Sequence, residues 1–326
     1  MHGIKKYIIL LIFGSAAFAA LFLYLGYKEF NQPNSTQKQS VIIIPTGQGL
    51  IRTSRLLYQQ KIITNKDVFK GGVMLMGQQR NLKAGEFLIP AGSSMQNILD
   101  ILVKGEVIQH KLTIVEGWTS WQVAQYLNSL ENLTDKIEAL PIEGSIMPES
   151  YLYTHGTSRY DILMRMQQKQ QDLLEILWRG RAANLPIQNI DQAVILASIV
   201  ERETAVPEER GHIAGVFINR LNKNMRLQSD PTIIYGIDRK GFLDRGLKKS
   251  EIGDKENPYN TYQIKSLPPT AIGHPGHASI EAVLNPMATE DIYFVADGTG
   301  KHVFSKTLAQ HNKNVTKWRK IESNRK

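Results

Sequence analysis

The chain contains no cysteine. That absence excludes disulfide frameworks, thiolate metal sites, iron–sulfur clusters and cysteine nucleophiles together. It also suits an oxidising compartment, where a stray thiol is a liability. Histidine is scarce, at 8 residues. His274 and His277 have no cysteine or matched histidine pair to complete a site, so neither a metal nor a cofactor is expected. A phosphate loop is missing too. Gly298-Thr299-Gly300-Lys301 lacks the required spacing and falls between two alternating segments, which predicts a hairpin turn. Scattered Ser, His and Asp residues assemble into no recognisable triad.

What remains is an ordinary globular composition, 42% hydrophobic and 21% charged, which rules out a disordered chain. At roughly 150 residues per domain, the 326-residue length allows two domains, each able to bury a core. The balance of 39 Lys+Arg against 30 Asp+Glu gives a formal charge of +9. Such an excess points to an anionic partner without distinguishing nucleic acid, lipid headgroups and acidic polymers.

Tyr7 to Tyr27 is a run of 21 residues without a charge, YIILLIFGSAAFAALFLYLGY. At about 1.5 Å per residue it reaches roughly 30 Å, the thickness of a bilayer's hydrocarbon core. Lys5 and Lys6 precede it, and Tyr7, Tyr24 and Tyr27 stand where interfacial aromatics belong. The run is read as a retained anchor with a cytoplasmic N-terminus and the rest of the chain exported. A cleaved signal peptide is the competing reading, since Ala17-Phe18-Ala19 resembles a cleavage site, but the apolar run continues well past it. A buried core helix is disfavoured by the missing polar face. Residues 1–30 contain three Lys and one Glu, so 36 basic and 29 acidic residues, a charge of +7, belong to the exported part. Positive charge outside the membrane argues against nucleic acid. PNSTQKQS (Pro33 to Ser40) is polar and aperiodic, and residues 31–40 read as a short tether.

Three segments share one grammar: Ile44-Pro45-Thr46-Gly47, Ile89-Pro90-Ala91-Gly92 and Ile114-Val115-Glu116-Gly117. Ten residues after each glycine stands a leucine, Leu57, Leu102 and Leu127. Each unit predicts a β-rich stretch, a turn using the glycine, then an amphipathic helix of about ten residues. Their spacings of 45 and 25 residues are unequal, which excludes a solenoid. The β-α-α-β pattern of residues 41–110 resembles a LysM-like module, a small carbohydrate-associated fold; a generic α+β domain fits the same pattern. Trp118 and Trp121 open the third unit. Their i, i+3 spacing favours packing on a helix face over stacking on sugars.

Ser158 to Gly180 predicts a helix with Ile162, Met166, Leu173 and Leu177 near one face. NIDQAVILASIVERETAVPEERGHIAGVFINRL (Asn189 to Leu221) predicts a helical hairpin, capped by Asn189 and restarted at Pro207. Two glutamates follow its apolar run. At about 100° per residue, Glu201 falls between Val194 and Ala197 and Glu203 between Leu196 and Ile199; only the sector near Ser198 and Arg202 is polar. At least one carboxylate therefore emerges among apolar side chains, where desolvation raises its pKa. A carboxylic acid still protonated near neutral pH is what glycosidic cleavage asks of its general acid. A salt bridge to Arg202 or Arg210 is the structural alternative, and the wheel does not choose between the two acids.

ASIVERET (Ala197 to Thr204) is similar to the signature of the endolytic murein transglycosylases, the YceG-like family. The resemblance continues through VFINRL (Val216 to Leu221), MRLQSDPTIIYG (Met225 to Gly236) and NPYNTYQIKSLPPTAIGHPGHAS (Asn257 to Ser279). YFVADGTGKHVFS (Tyr293 to Ser305) and AQHNK (Ala309 to Lys313) extend it. It implies cleavage of the β-1,4 bond between MurNAc and GlcNAc within peptidoglycan glycan strands, without water, leaving a 1,6-anhydroMurNAc end and terminating strand elongation. It places the catalytic glutamate at Glu201. Asn219, Gln228, Asp230, Asn260 and Tyr262 are hydrogen-bonding residues inside the matched motifs, suited either to gripping sugars or to satisfying loop backbone. IEGSIMPESYLY (Ile142 to Tyr153) resembles another family stretch, with Glu143 its acidic member. It departs from the pattern, with Ser145 and Met147 where aromatics are usual and Glu149 in place of Asp.

These readings predict an α+β protein of the bacterial inner (cytoplasmic) membrane, single-pass, its catalytic part periplasmic. Residues 1–30 would form the cytoplasmic tip and anchor, 41–110 the LysM-like module and 111–326 the catalytic domain. The expected partners are peptidoglycan strands, the bilayer through residues 7–27, and elongation-type wall synthases. Two alternatives stand: a non-enzymatic peptidoglycan-binding scaffold, and a hydrolytic muramidase, which needs a second acid to activate water. The basic tail, Lys317 to Lys326, reads as a solvated helix end.

Overall fold

The computed structural model describes residues 2–34 and 38–323, with side chains from residue 6. Part of the expected tether (35–37) and the last three residues of the basic tail lie outside the described residues. The protein is mixed α+β. It divides into a smaller unit, residues 1–110 with 152–156, and a larger one, residues 111–151 with 157–326.

The smaller unit begins with α1 (His2–Asn31), which is long and apolar enough over Lys6–Asn31 to cross a membrane and is almost wholly exposed there. Then come β1 (Ser40–Ile44), α2 (Leu50–Gln59), α3 (Lys66–Leu75), β2 (Gly85–Ile89) and α4 (Met95–Lys104). β1 and β2 pair antiparallel, Ile42 opposite Phe87. Alternation does the sorting: Ile42, Ile44, Phe87 and Ile89 are buried, while Val41, Ile43 and Leu88 face out. Leu57, Phe69, Val73 and Leu102 complete the core. Phe30, near the end of α1, belongs to this core and lies 6.3 Å from the Phe69 ring, centroid to centroid. Part of the segment expected to act as a free tether is likewise fixed, since the Asn34 amide donates to the Ile62 carbonyl at 2.6 Å.

β3 (His110–Thr113) leads into the larger unit. α5 (Ser120–Ser129) follows it, then β4 (Leu133–Thr134), β5 (Ser150–Tyr153) and β6 (Thr157–Ser158), with β4 and β6 parallel. Next come α6 (Arg159–Arg179), α7 (Ile190–Glu203), a 3₁₀ turn (Pro207–Glu209) and α8 (Arg210–Asn222). The chain ends with α9 (Asp230–Ile237), α10 (Lys249–Ile252), α11 (His277–Leu284), the hairpin β7 (Tyr293–Ala296) and β8 (His302–Ser305), and α12 (Leu308–Ser323). The predicted hairpin of helices is α7 and α8, capped by Asn189, whose side chain accepts from the Gln192 amide. α7, α8 and α11 enclose the core of Leu196, Ile199, Val200, Phe217, Ile280 and Val283.

The three repeated segments all form strand, turn and helix. Gly47, Gly92 and Gly117 adopt φ of +75°, +72° and +77°, a left-handed conformation that glycine adopts without Cβ strain. Leu57, Leu102 and Leu127 are each fully buried. The tryptophan expectation needs correction. Trp118 precedes the N-cap Thr119 and so lies ahead of α5 rather than on its face. It packs edge-on against Tyr126, 5.5 Å between centroids, while Lys240 sits 5.4 Å over Trp121.

Candidate active site

α7 closes with Glu201, Arg202 and Glu203, and each of the three side chains enters a different environment. The apolar run before them explains why: it buries the helix so deeply that its last turn ends among protein groups rather than in water. Even the polar sector faces protein. Ser198 is buried, and its hydroxyl accepts the Ile272 amide at 3.0 Å.

Glu201 is only 5% exposed, so its oxygens are satisfied by the fold. Arg210, the first residue of α8, donates from Nη2 to Oε1 at 3.2 Å, and the Gly276 amide donates to Oε2 at 2.9 Å. The ion pair with Arg210 is one of the structural alternatives open from the sequence. The same Nη2 lies 3.4 Å from Oε2 of Glu116, in the turn ahead of α5. Burial raises the Glu116 pKa, and the negative charge of Glu201 raises it further, against the opposing charges of Arg210 and His277.

Two loops hold this arrangement. The Gly117 amide donates to the His274 carbonyl and the His274 amide to the Trp118 carbonyl, both at 2.8 Å. Arg202 ties the same turn from behind, donating from Nη1 to the Gly117 carbonyl at 3.2 Å and from Nη2 to the Gly241 carbonyl. A Cβ on Gly276 would lie 1.9 Å from Glu116 Oε1, so a side chain here has to displace the Glu116 carboxylate.

Residues 42–317 match the sequence pattern of the YceG-like family. The chain belongs to that family. A Bacillus subtilis (strain 168) protein named endolytic murein transglycosylase is 29% identical, the match covering 91% of this chain and 89% of that protein. A Streptococcus pneumoniae (strain R6) protein of the same name is 27% identical over 86% of this chain, which spans 58% of its length. The crystal structure of a YceG-like protein from Listeria monocytogenes superposes with a TM-score of 0.52 at 26% identity, covering 85% of this chain and 99% of the other.

In this YceG-like chain the second acid of the pair, Glu203, makes a separate cluster. Its Oε1 accepts the Ser229 hydroxyl, and burial pushes its pKa up to about 7, with the neighbouring Asp230 adding to the rise. Tyr262 donates to Asp230 at 2.7 Å. Gln228 joins through Arg220, whose Nη1 reaches its Oε1 at 3.4 Å. The carboxyl predicted to be raised by apolar surroundings is therefore found at Glu203.

Glu143 forms a third centre. Both its oxygens accept the Ser120 amide at 3.0 Å, Tyr235 donates to Oε1 at 3.1 Å, and burial pushes it up to about 7. His274 lies behind it. Nδ1 of His274 accepts the amides of Gly144 at 3.1 Å and Ile146 at 3.3 Å, so the ring proton sits on Nε2, facing the Ser120 hydroxyl at 3.2 Å. Full burial depresses its pKa to about 3, so the imidazole is neutral and its 4.0 Å approach to Glu143 is no ion pair. Glu143 also lines an open cavity of about 610 Å³ with Gln170, Asp191, Val194 and Pro269; Glu201 is not among its lining residues.

Asn219 and Asn260 serve backbone. Asn219 donates to the carbonyls of Thr289 and Asp291 at 2.8 and 3.0 Å. The fully buried Asn260 donates towards the carbonyls of Glu251, Ile252 and Asp254. Sequence reasoning passed over Glu116 and Arg210 as members of the site. The signal for Glu116 was present: the third repeated unit carries an acid where the first two carry Thr46 and Ala91.

Proposed function

We propose that this chain is a membrane-anchored endolytic murein transglycosylase that cleaves the MurNAc-β-1,4-GlcNAc bond within glycan strands, with Glu201 as the acting acid. The observation that carries this reading is the Glu201 carboxylate at the end of α7, inside the family-matched region, clasped by Arg210 and the Gly276 amide. The name of the relatives, endolytic murein transglycosylase, supports the substrate class.

In the proposed reaction Glu201 starts protonated and gives its proton to the leaving glycosidic oxygen. As carboxylate it then takes the proton of the MurNAc C6 hydroxyl, whose oxygen attacks C1 and closes the 1,6-anhydro ring. That hydroxyl is already tethered to the sugar, so its effective concentration is high and no second nucleophile is required. Arg210 pairs with Glu116 while Glu201 is neutral and with both acids once Glu201 is charged. Gln228, Asp230 and Tyr262, gathered beside Glu203, together with Glu143, Asn219 and Asn260, are the proposed surroundings of the strand. The two asparagines act by fixing loops.

The rest of the reading concerns place and partners. Residues 1–30 anchor the chain, 31–40 link it, 41–110 form a LysM-like module supported by the β1-α2-α3-β2 order, and 111–326 form the catalytic domain. The N-terminus is cytoplasmic and the catalytic part periplasmic, where termination of nascent strands would bring it beside elongation-type wall synthases.

Hydrolysis is the second reading, and Glu116 beside Glu201 is the observation that favours it, since two acids permit water activation. Digestion of purified glycan strands by the detergent-solubilised full chain, read by mass spectrometry, separates the outcomes. Anhydro ends are expected. Reducing ends would replace the lyase with a muramidase, and intact strands would leave a binding scaffold.

A further inference from the structure

α1 does not end at a hinge. Its last turns are seated on α3: Phe30 lies in the core against Phe69, and a Cβ on Gly72 would meet the Phe30 ring at 2.4 Å. Glu29 accepts the Thr64 hydroxyl at 3.1 Å, and Asn34 reaches the Ile62 carbonyl. Beyond these contacts, Leu23 and Gly26 of α1 and Gly71, Gly72 and Leu75 of α3 line one groove.

That groove has a volume of about 600 Å³; its lining includes apolar Phe22, Leu23 and Leu75 as well as polar Asn31, Asn65 and Asp67. Leu75 is 82% exposed, Met74 58% and Met76 47%, the largest apolar exposure on α3. Such a knob in water is an unfavourable surface for a soluble domain. Leu75 and Met76 share the groove with Phe22, Leu23 and Tyr27, the end of the apolar run, where in the anchor reading hydrocarbon gives way to headgroups.

We propose that the Met74–Met76 end of α3 is a membrane-contact site, inserted into the outer interface of the bilayer that α1 crosses, with lipid filling the groove between the two helices. The inference rests on the anchor reading above. The occupant is lipid because Phe22 and Leu23, on the exposed apolar surface of the helix read as spanning the bilayer, line the groove together with Leu75 and Met76. An apolar tip combined with a spanning helix gives two points of attachment, which fixes the small unit's orientation to the membrane.

The absence of cysteine allows the test to be made on the full chain with one label at a time. Leu75→Cys, Phe13→Cys and Leu140→Cys are each labelled with an environment-sensitive fluorophore and reconstituted into nanodiscs holding one copy. Leu140 is 50% exposed and serves as the water-facing control. At position 75 a blue-shifted emission and at least a twofold quenching by lipids brominated near the headgroup end of the chain are expected; position 13 should respond to bromines placed deeper. Water-like emission at 75 with a quenched label at 13 overturns the contact and leaves the anchor standing. An unquenched label at 13 overturns the anchor, and the contact with it. Quenching at 75 that appears only when two copies share a disc assigns the tip to a second chain and also overturns the inference.

Discussion

Glu116 and Glu201 meet on one nitrogen, Nη2 of Arg210, at 3.4 and 3.2 Å. With two carboxylates around a single guanidinium, burial and the neighbouring Glu201 charge raise the Glu116 pKa. A site that must donate a proton and take one back has use for that arrangement.

Glu201→Gln should reduce strand cleavage by at least about 10³-fold, the upper range for loss of a general acid–base. Circular dichroism and the melting temperature should stay close to wild type, since glutamine still accepts from Gly276. Retained cleavage would remove Glu201 from its role and make Glu203 the next acid to test.

Glu116→Gln removes one of the two carboxylates that Arg210 Nη2 holds. Cleavage near pH 7 should fall about 10-fold. A loss below about twofold would mean that Glu116 only shapes the loop.

Gly276→Ala tests the same contact by steric means. Its backbone, at φ −75° and ψ 170°, suits alanine, so the obstacle is the Glu116 side chain, with Oε1 at 1.9 Å and Cδ at 2.3 Å from the new Cβ. Displacing that carboxylate should cost cleavage about 10-fold while stability changes by about 1 kcal/mol. Full activity would show that Glu116 has no part in the reaction.

Glu203 and Glu143 are pushed up to about 7 by burial, well above their unfolded values. The folded state therefore holds extra protons between about pH 4.5 and 7, and stability is highest at the low end of that window and lost as pH rises through 7. Glu203→Gln, which keeps a partner for Ser229, should flatten this decline when melting temperature is followed from pH 5 to 8. An unchanged slope would place the uptake elsewhere.

Much of this architecture was readable from local chemistry. Pro45 ends β1, Asn189 caps α7, and the leucine ten residues after each turn glycine marks the buried face of its helix. The site was legible only in part, because helix periodicity fixes the angle at which Glu201 and Glu203 leave α7 but says nothing of what meets them. Arg210 reaches Glu201 after a 3₁₀ turn, and Gly276 arrives from 75 residues away. Asn219 and Asn260 had the composition of sugar ligands, yet their amides are committed to loop carbonyls, a distinction only tertiary structure makes.

The burial of Phe30 gives the proposed anchor a mechanical meaning. A helix keyed into the core of its domain behaves as an axle rather than a leash. Any tilt it adopts to match the bilayer's thickness is passed directly to the small unit. Membrane thickness would then set the angle at which that unit leans, so a change in lipid composition could be felt outside the membrane as a rotation.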